Sequence, residues 1–230
     1  MQRTTFKLYS PTLIPSDESL VMADLKRLKY DKWGYVVYRC TYKDDAAWGH
    51  FKQTIYQQTR QDLRESDTPE LAEHVEWTFV EDREALDGVP IPRLRERFNR
   101  WAAKAVVAEN PRAQAGTEGR STIVGGRYNC FVHVDEEALQ SVLRGPEREN
   151  EYGELAHVNF VDALWEPYGD SHFEGGYEPD ILEPIDGCTE GNVGWMRMSV
   201  HLVFSAYIYV GAGDSTHWHL FYRRPPDIVF

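Results

Sequence analysis

Between Tyr35 and Phe51 the chain reads YVVYRCTYKDDAAWGHF, and its hydrophobic period changes in the middle. Val36, Val37 and Tyr38 belong to an apolar, β-branched run, whereas Trp48, Phe51 and Ile55 recur at spacings of three and four residues, with Leu63 two turns further on. These are the periods of a strand and of a helix. The chain therefore passes directly from one to the other at Asp44 and Asp45, which are either acids of a site or the start of a helix. Asp82 and Asp135 also follow an apparent strand and precede a helix or turn. A carboxylate in that place accepts orphan amide hydrogens and faces the positive end of the helix dipole. Capping explains all three with one mechanism. Metal-binding carboxylates at strand ends are the competing explanation, and Asp44 and Asp45 are not the leading catalytic pair.

The same reading extends along the chain. SDESLVMADLKRLKY is a short helix with Ser16 as its cap, WGYVVYRCTY a strand, and the helix from Asp44 runs to about Leu63. HVEWTFVED returns to strand character. A further helix begins near Pro92, a residue tolerated in a first turn, with Leu94, Phe98, Trp101 and Ala105 as its core stripe. ENPRAQAGTEGRSTIVGG is loop-like. RYNCFVHVDEEALQSVL repeats strand, acidic cap and helix, and shares a Tyr-x-Cys opening with YRCTYKDDAAW. From about 145 to 194 the chain makes a long acidic excursion holding one strand, HVNFVDALW.

Near the C-terminus Met196, Met198, Val200, Leu202, Phe204, Ala206, Ile208 and Val210 occupy every second position. Such alternation predicts a strand, bent or broken because of its length, and GAGDS then predicts a hairpin returning through THWHLFY. Pairing Val210 with Thr216 gathers Tyr207, Tyr209, His217 and His219 on one face, with His201, Arg197 and Trp195 further along. His133, in FVHVDEE, joins them if its strand belongs to the same sheet. A histidine there is suited to acid or base work near neutral pH, which makes His217, His219 and His201 the catalytic candidates. Tyr207, Tyr209, Arg197, Trp195 and His133 are the ligand-binding candidates. His217 and His219 could share a metal with an acid of the long loop, but no further ligand is fixed by spacing. The ordinary alternative is an amphipathic sheet surface covered by a helix or a second subunit.

Charge is regional. Residues 135–190 hold sixteen Asp or Glu against Arg144 and Arg148, a local net charge of −14 in a chain whose total is −12. That field opposes nucleic-acid binding and favours a basic partner or a cation. Arg93, Arg97, Arg100 and Lys104 form a basic edge along the Pro92 helix, expected to pair with the chain's own acidic region or a second subunit's. Phosphate-binding loops, dinucleotide fingerprints, nucleophile elbows and zincin helices have no match in the sequence. No apolar run approaches the roughly 18 residues of a membrane span, and the first twenty residues lack an apolar signal core. Cys40, Cys130 and Cys188 lack metal-like spacing and fit buried thiols in a reducing, cytoplasmic setting. No cofactor is indicated.

The combination KWGYVVYRCTYKDDAAWGHF, VEDREALDG and GWMRMSVHLVFSAYIY resembles a group of uncharacterised proteins from ascomycete fungi. The resemblance covers most of the chain and implies a fungal, intracellular protein; it carries no reaction. The expectation is a single α+β domain over 1–230. Its core is an elaborated ferredoxin-like, split βαβ antiparallel sheet with an inserted helix and a C-terminal β-hairpin. Its expected role is to bind a small polar or aromatic ligand on the His/Tyr face. The alternatives are a protein-interaction module or homodimer using the sheet face and acidic loop, and a metal-assisted hydrolase.

Overall fold

The first helix starts where the sequence places its cap: Ser16 Oγ accepts from Ser19 N at 3.2 Å, and α1 runs over Asp17–Leu28. The computed structural model describes residues 16–113, 126–144, 156–167, 182–203, 207 and 215–229. After α1 come β1 (Val36–Arg39), α2 (Asp45–Glu65), a 3-10 turn (Pro69–Glu73) and β2 (Thr78–Val80). They are followed by α3 (Arg83–Leu86), α4 (Ile91–Ala108), α5 (Gly126–Asn129), β3 (Cys130–Val134) and α6 (Glu136–Leu143). The last described elements are β4 (His157–Asp162), β5 (Trp195–Ser199), a 3-10 turn (Val200–Leu202), α7 (Ser215–Phe221) and β6 (Ile228–Val229).

The three aspartates are caps. Asp44, Asp82 and Asp135 accept from the amides of Ala47, Ala85 and Ala138 at 2.9, 3.2 and 2.9 Å, each three residues on. Asp45 does something else, because its carboxylate meets Arg39 Nη2 at 2.6 Å, and the Arg39 guanidinium lies 4.3 Å from the Tyr42 ring centroid. The acidic pair thus starts a helix, as the capping reading expects, and also pairs a buried arginine.

The fold is α+β with a mixed sheet, ordered β2-β1-β3-β4-β5-β6 among the described residues. β1 is parallel to both β2 and β3, β4 is antiparallel to β3 and β5, and β6 is parallel to β5. This differs from the expected ferredoxin-like antiparallel sheet. The β1-to-β2 and β2-to-β3 connections step in opposite directions along the sheet, so right-handed crossovers put their helices on opposite faces. Ring contacts agree. Trp48 of α2 meets Phe79 at 5.8 Å on the face that also carries Val37 and Val132, and Phe98 of α4 meets Phe131 at 5.0 Å on the other.

The returning strand of the C-terminal hairpin is likewise corrected, while the expected turn at 211–214 lies outside the described residues. Strand alternation is realised over Trp195–Ser199, after which Val200–Leu202 turn, and THWHLF falls in α7. Tyr222 N donates to Trp218 O at 2.8 Å, and the two rings lie 6.0 Å apart, the contact that a spacing of four gives on a helix. Trp218 packs on Phe160 of β4 at 6.2 Å, while Tyr207 sits fully buried 5.3 Å from Trp33 and 5.1 Å from Tyr35. The C-terminal segment therefore seals the sheet face opposite α4 with aromatic rings. Gly34, at φ 106°, permits the close approach on which this end depends, because a Cβ there would meet Glu76 O at 2.6 Å. No described helix is long and apolar enough to cross a membrane.

Candidate functional site

The register places four polar side chains in one line across the sheet. Tyr38 is opposite His133, His133 opposite Asn159, and Asn159 opposite Arg197. They share the α4 face with Trp195, two residues from Arg197 on the same strand. Polar groups in a buried sheet need partners, and their bonding shows what each can do.

Asn159 Nδ2 donates to Asp135 Oδ2 at 2.9 Å and meets His133 Nδ1 at 3.1 Å. An amide turned the other way would set its oxygen against the Asp135 carboxylate, so the nitrogen belongs in this position. Nδ1 of His133 is then an acceptor and its proton sits on Nε2. Burial lowers the His133 pKa, against the opposing pull of Asp135 and Asp186, and the ring is neutral at ordinary pH. Asp135 thus caps α6 and, through Asn159 on the neighbouring strand, fixes the tautomer of the histidine two residues before it.

Arg197 donates from Nη2 to Glu137 Oε2 at 2.6 Å, but its Nε, like Trp195 Nε1, is buried with no hydrogen-bond partner among the described residues. Beside them Arg95 of α4 holds the chain that leads into β5. It donates to the carbonyls of Asp162, Val193 and Gly194 at 3.0, 3.0 and 2.8 Å and stacks on Trp165 at 4.7 Å. Gly194 is at φ 71° and a Cβ on it would collide with Trp165, so this entry needs glycine. Arg95 escaped the sequence reading because it stands two positions from Arg93 and Arg97, off the basic edge.

Of the residues expected at a ligand face, His133, Arg197 and Trp195 come together. Tyr207 does not: it belongs to the aromatic core, where burial drives its hydroxyl pKa far up. Tyr209 and the side chains of His201 and His217 lie outside the described residues, and His219 is exposed on α7. Both 217 and 219 fall in α7 and not on the expected strand. Among the described residues no group of three or more His, Cys, Asp or Glu side chains is placed to hold a metal. Cys40 is no activated thiol, since burial, with Asp135 and Asp87 nearby, pushes its pKa up to about 12.

Among the described residues, two members of the basic edge of α4 pair locally. Arg93 pairs with Glu96 at 3.3 Å and Arg97 with Asp82 at 3.8 Å, neither of them in the acidic 135–190 region.

A second buried polar group was not foreseen. Arg127, fully buried, grips both carboxylate oxygens of Glu109 at 2.8 and 3.0 Å and donates to Glu76 O at 3.0 Å and Thr78 Oγ1 at 2.8 Å. Tyr128 Oη adds a bond to Glu109 at 3.0 Å. Burial pushes the Glu109 carboxyl up, but the Arg127 bonds and charge, with Lys32 and Tyr128, hold it below its usual range.

Fold and site together define an α+β protein whose mixed sheet carries an internal polar row on one face. No family model, curated protein or solved structure matches the chain.

Proposed function

We propose that the chain binds a small polar or aromatic molecule on the sheet face of His133, Asn159 and Arg197, beside Trp195. The observation that carries this is the pair of buried donors, Arg197 Nε and Trp195 Nε1, that lack partners among the described residues. An unsatisfied buried donor costs about 1–3 kcal/mol, a cost that a ligand acceptor would offset. With the Nε2–H of His133 the face offers three donors, which suits carbonyl or carboxylate oxygens on a flat ring that can lie against an indole. No reaction step is assigned. A cytoplasmic, fungal setting belongs to the same reading and rests on the quoted motifs and the cysteine pattern.

Native mass spectrometry of gently purified protein tests the assignment. The expected result is one equivalent of a small molecule, released on denaturation and absent from Arg197→Gln. Wild-type protein with no added mass, or an Arg197→Gln variant retaining it, would sink the proposal. A protein-interaction module or homodimer is the alternative, favoured by Leu220 and Phe221, which are exposed side by side on α7. A dimeric mass that collapses to monomer in Leu220→Glu would support it.

A further inference from the structure

A cavity of about 390 Å³ lies at the carboxyl end of α1, on the side of the molecule where the parallel strands begin, and Met22, Leu25 and Tyr30 give it an apolar lining. Its other lining residues are Lys26, Lys29, His74 and Arg112. We propose that this cavity binds an amphipathic anion: a carboxylate or phosphate monoester on a short aliphatic or aromatic body.

Four observations carry the proposal. First, the volume falls within the roughly 300–1,000 Å³ of ordinary small-molecule pockets, and the lining splits into an apolar part and a cationic one. Second, the cationic part is unbalanced. Arg112 pairs with Asp31, but Lys26 and Lys29 have no ion-pair partner among the described residues. Third, Lys29 holds a left-handed backbone, φ 58° and ψ 40°, the helix-ending conformation for which glycine is the usual residue. A lysine there sets a charge at the cavity against the local conformational preference. Fourth, His74 Nδ1 meets the carbonyl of Asp31 at 3.0 Å, so in the neutral ring Nδ1 carries the proton and the imidazole is tied down beside the cations. Compensation of the α1 dipole accounts for a basic residue in the last turn. It does not account for Arg112 and His74 arriving from two other segments at the same apolar cavity. Met22 and Tyr30 suit a body of variable shape. The thioether is pliable, whereas the Tyr30 ring is held edge-on to Tyr128 at 6.2 Å.

Isothermal titration calorimetry with sodium octanoate and with phenyl phosphate, set against neutral octanamide, tests the site. One saturable site for an anion is expected, weakened at least tenfold by the Lys26→Gln, Lys29→Gly double variant and progressively by added sodium chloride. Lys29→Gly suits the left-handed cap, so the variant is expected to keep its thermal unfolding temperature, and lost binding then reports lost charge. The tighter of the two anions identifies the headgroup. Octanamide binding as well as octanoate, unchanged binding by the double variant, or no saturable heat from either anion would each overturn the proposal.

Discussion

Arg127, beside the entry to β3, and Arg197, within β5, both carry a guanidinium into the protein, and their surroundings differ in completeness. Arg127 uses all three of its nitrogens, on Glu109, Glu76 and Thr78, and ties the end of α4 to the entry of β2. Arg197 has one carboxylate and a buried Nε without a partner among the described residues. A completed network of this kind holds elements together, while an incomplete one keeps bonding capacity for something else. The Arg127 network is complete as structure, and the row across the sheet is the proposed site.

The largest test separates the two directly. Arg127→Ala leaves Glu109 half-buried with only Lys32 and Tyr128 beside it, and is expected to cost about 3 kcal/mol in urea unfolding. Equal costs for Arg127→Ala and Arg197→Ala would erase the distinction. Next come the caps: Asp44→Ala and Asp82→Ala should each cost about 1 kcal/mol. Asp135→Ala should cost roughly 1 kcal/mol more, because it also frees Asn159. Chemical denaturation of the three variants checks that order, and a flat result would sever Asp135 from Asn159 and the row.

The third test is pH. His133 has a folded pKa below its unfolded value of about 6.5, so the unfolded chain binds the extra proton first. Its contribution to stability is whole above that value and is lost as pH falls through the lowered folded pKa. Glu109, also lowered, keeps its contribution until pH falls below the ordinary glutamate value of about 4.3. Denaturation midpoints should therefore decline in two stages on acidification, and His133→Gln should remove only the earlier one. The smallest effect belongs to Arg197→Gln, expected within about 1 kcal/mol of wild type. A thermal scan of this variant beside the native mass measurement sharpens the contrast, since its loss is predicted in bound mass and not in stability.

The features legible in the sequence were the local ones. Each aspartate cap is closed within three residues, and the stripes of α2 and α4 show within one helix, so no distant contact had to be known. Strand order was not legible, because nothing inside VVYR or CFVHV states that they run parallel. The C-terminal error has a definite origin. Alternation through Val210 was extended across Ser199, while the spacing of four from Trp218 to Tyr222, a helical signal, lay in the same stretch. Part of the site was legible: Arg197 and Trp195 share a face by parity alone, and His133 joins them because its strand lies in the same sheet. Asn159 was missed because its place between His133 and Arg197 depends on β4 entering the sheet there, a long-range pairing.

Among the described residues the outermost strands of the sheet are short: β2 spans Thr78–Val80 and β6 spans Ile228–Val229. An exposed strand margin is a template on which a foreign chain can continue the hydrogen-bond ladder, and brief margins give it little purchase. Any higher-order assembly of these molecules should therefore grow by side-chain contact between surfaces, and the fold resists the edge-by-edge accretion that leads to fibrils.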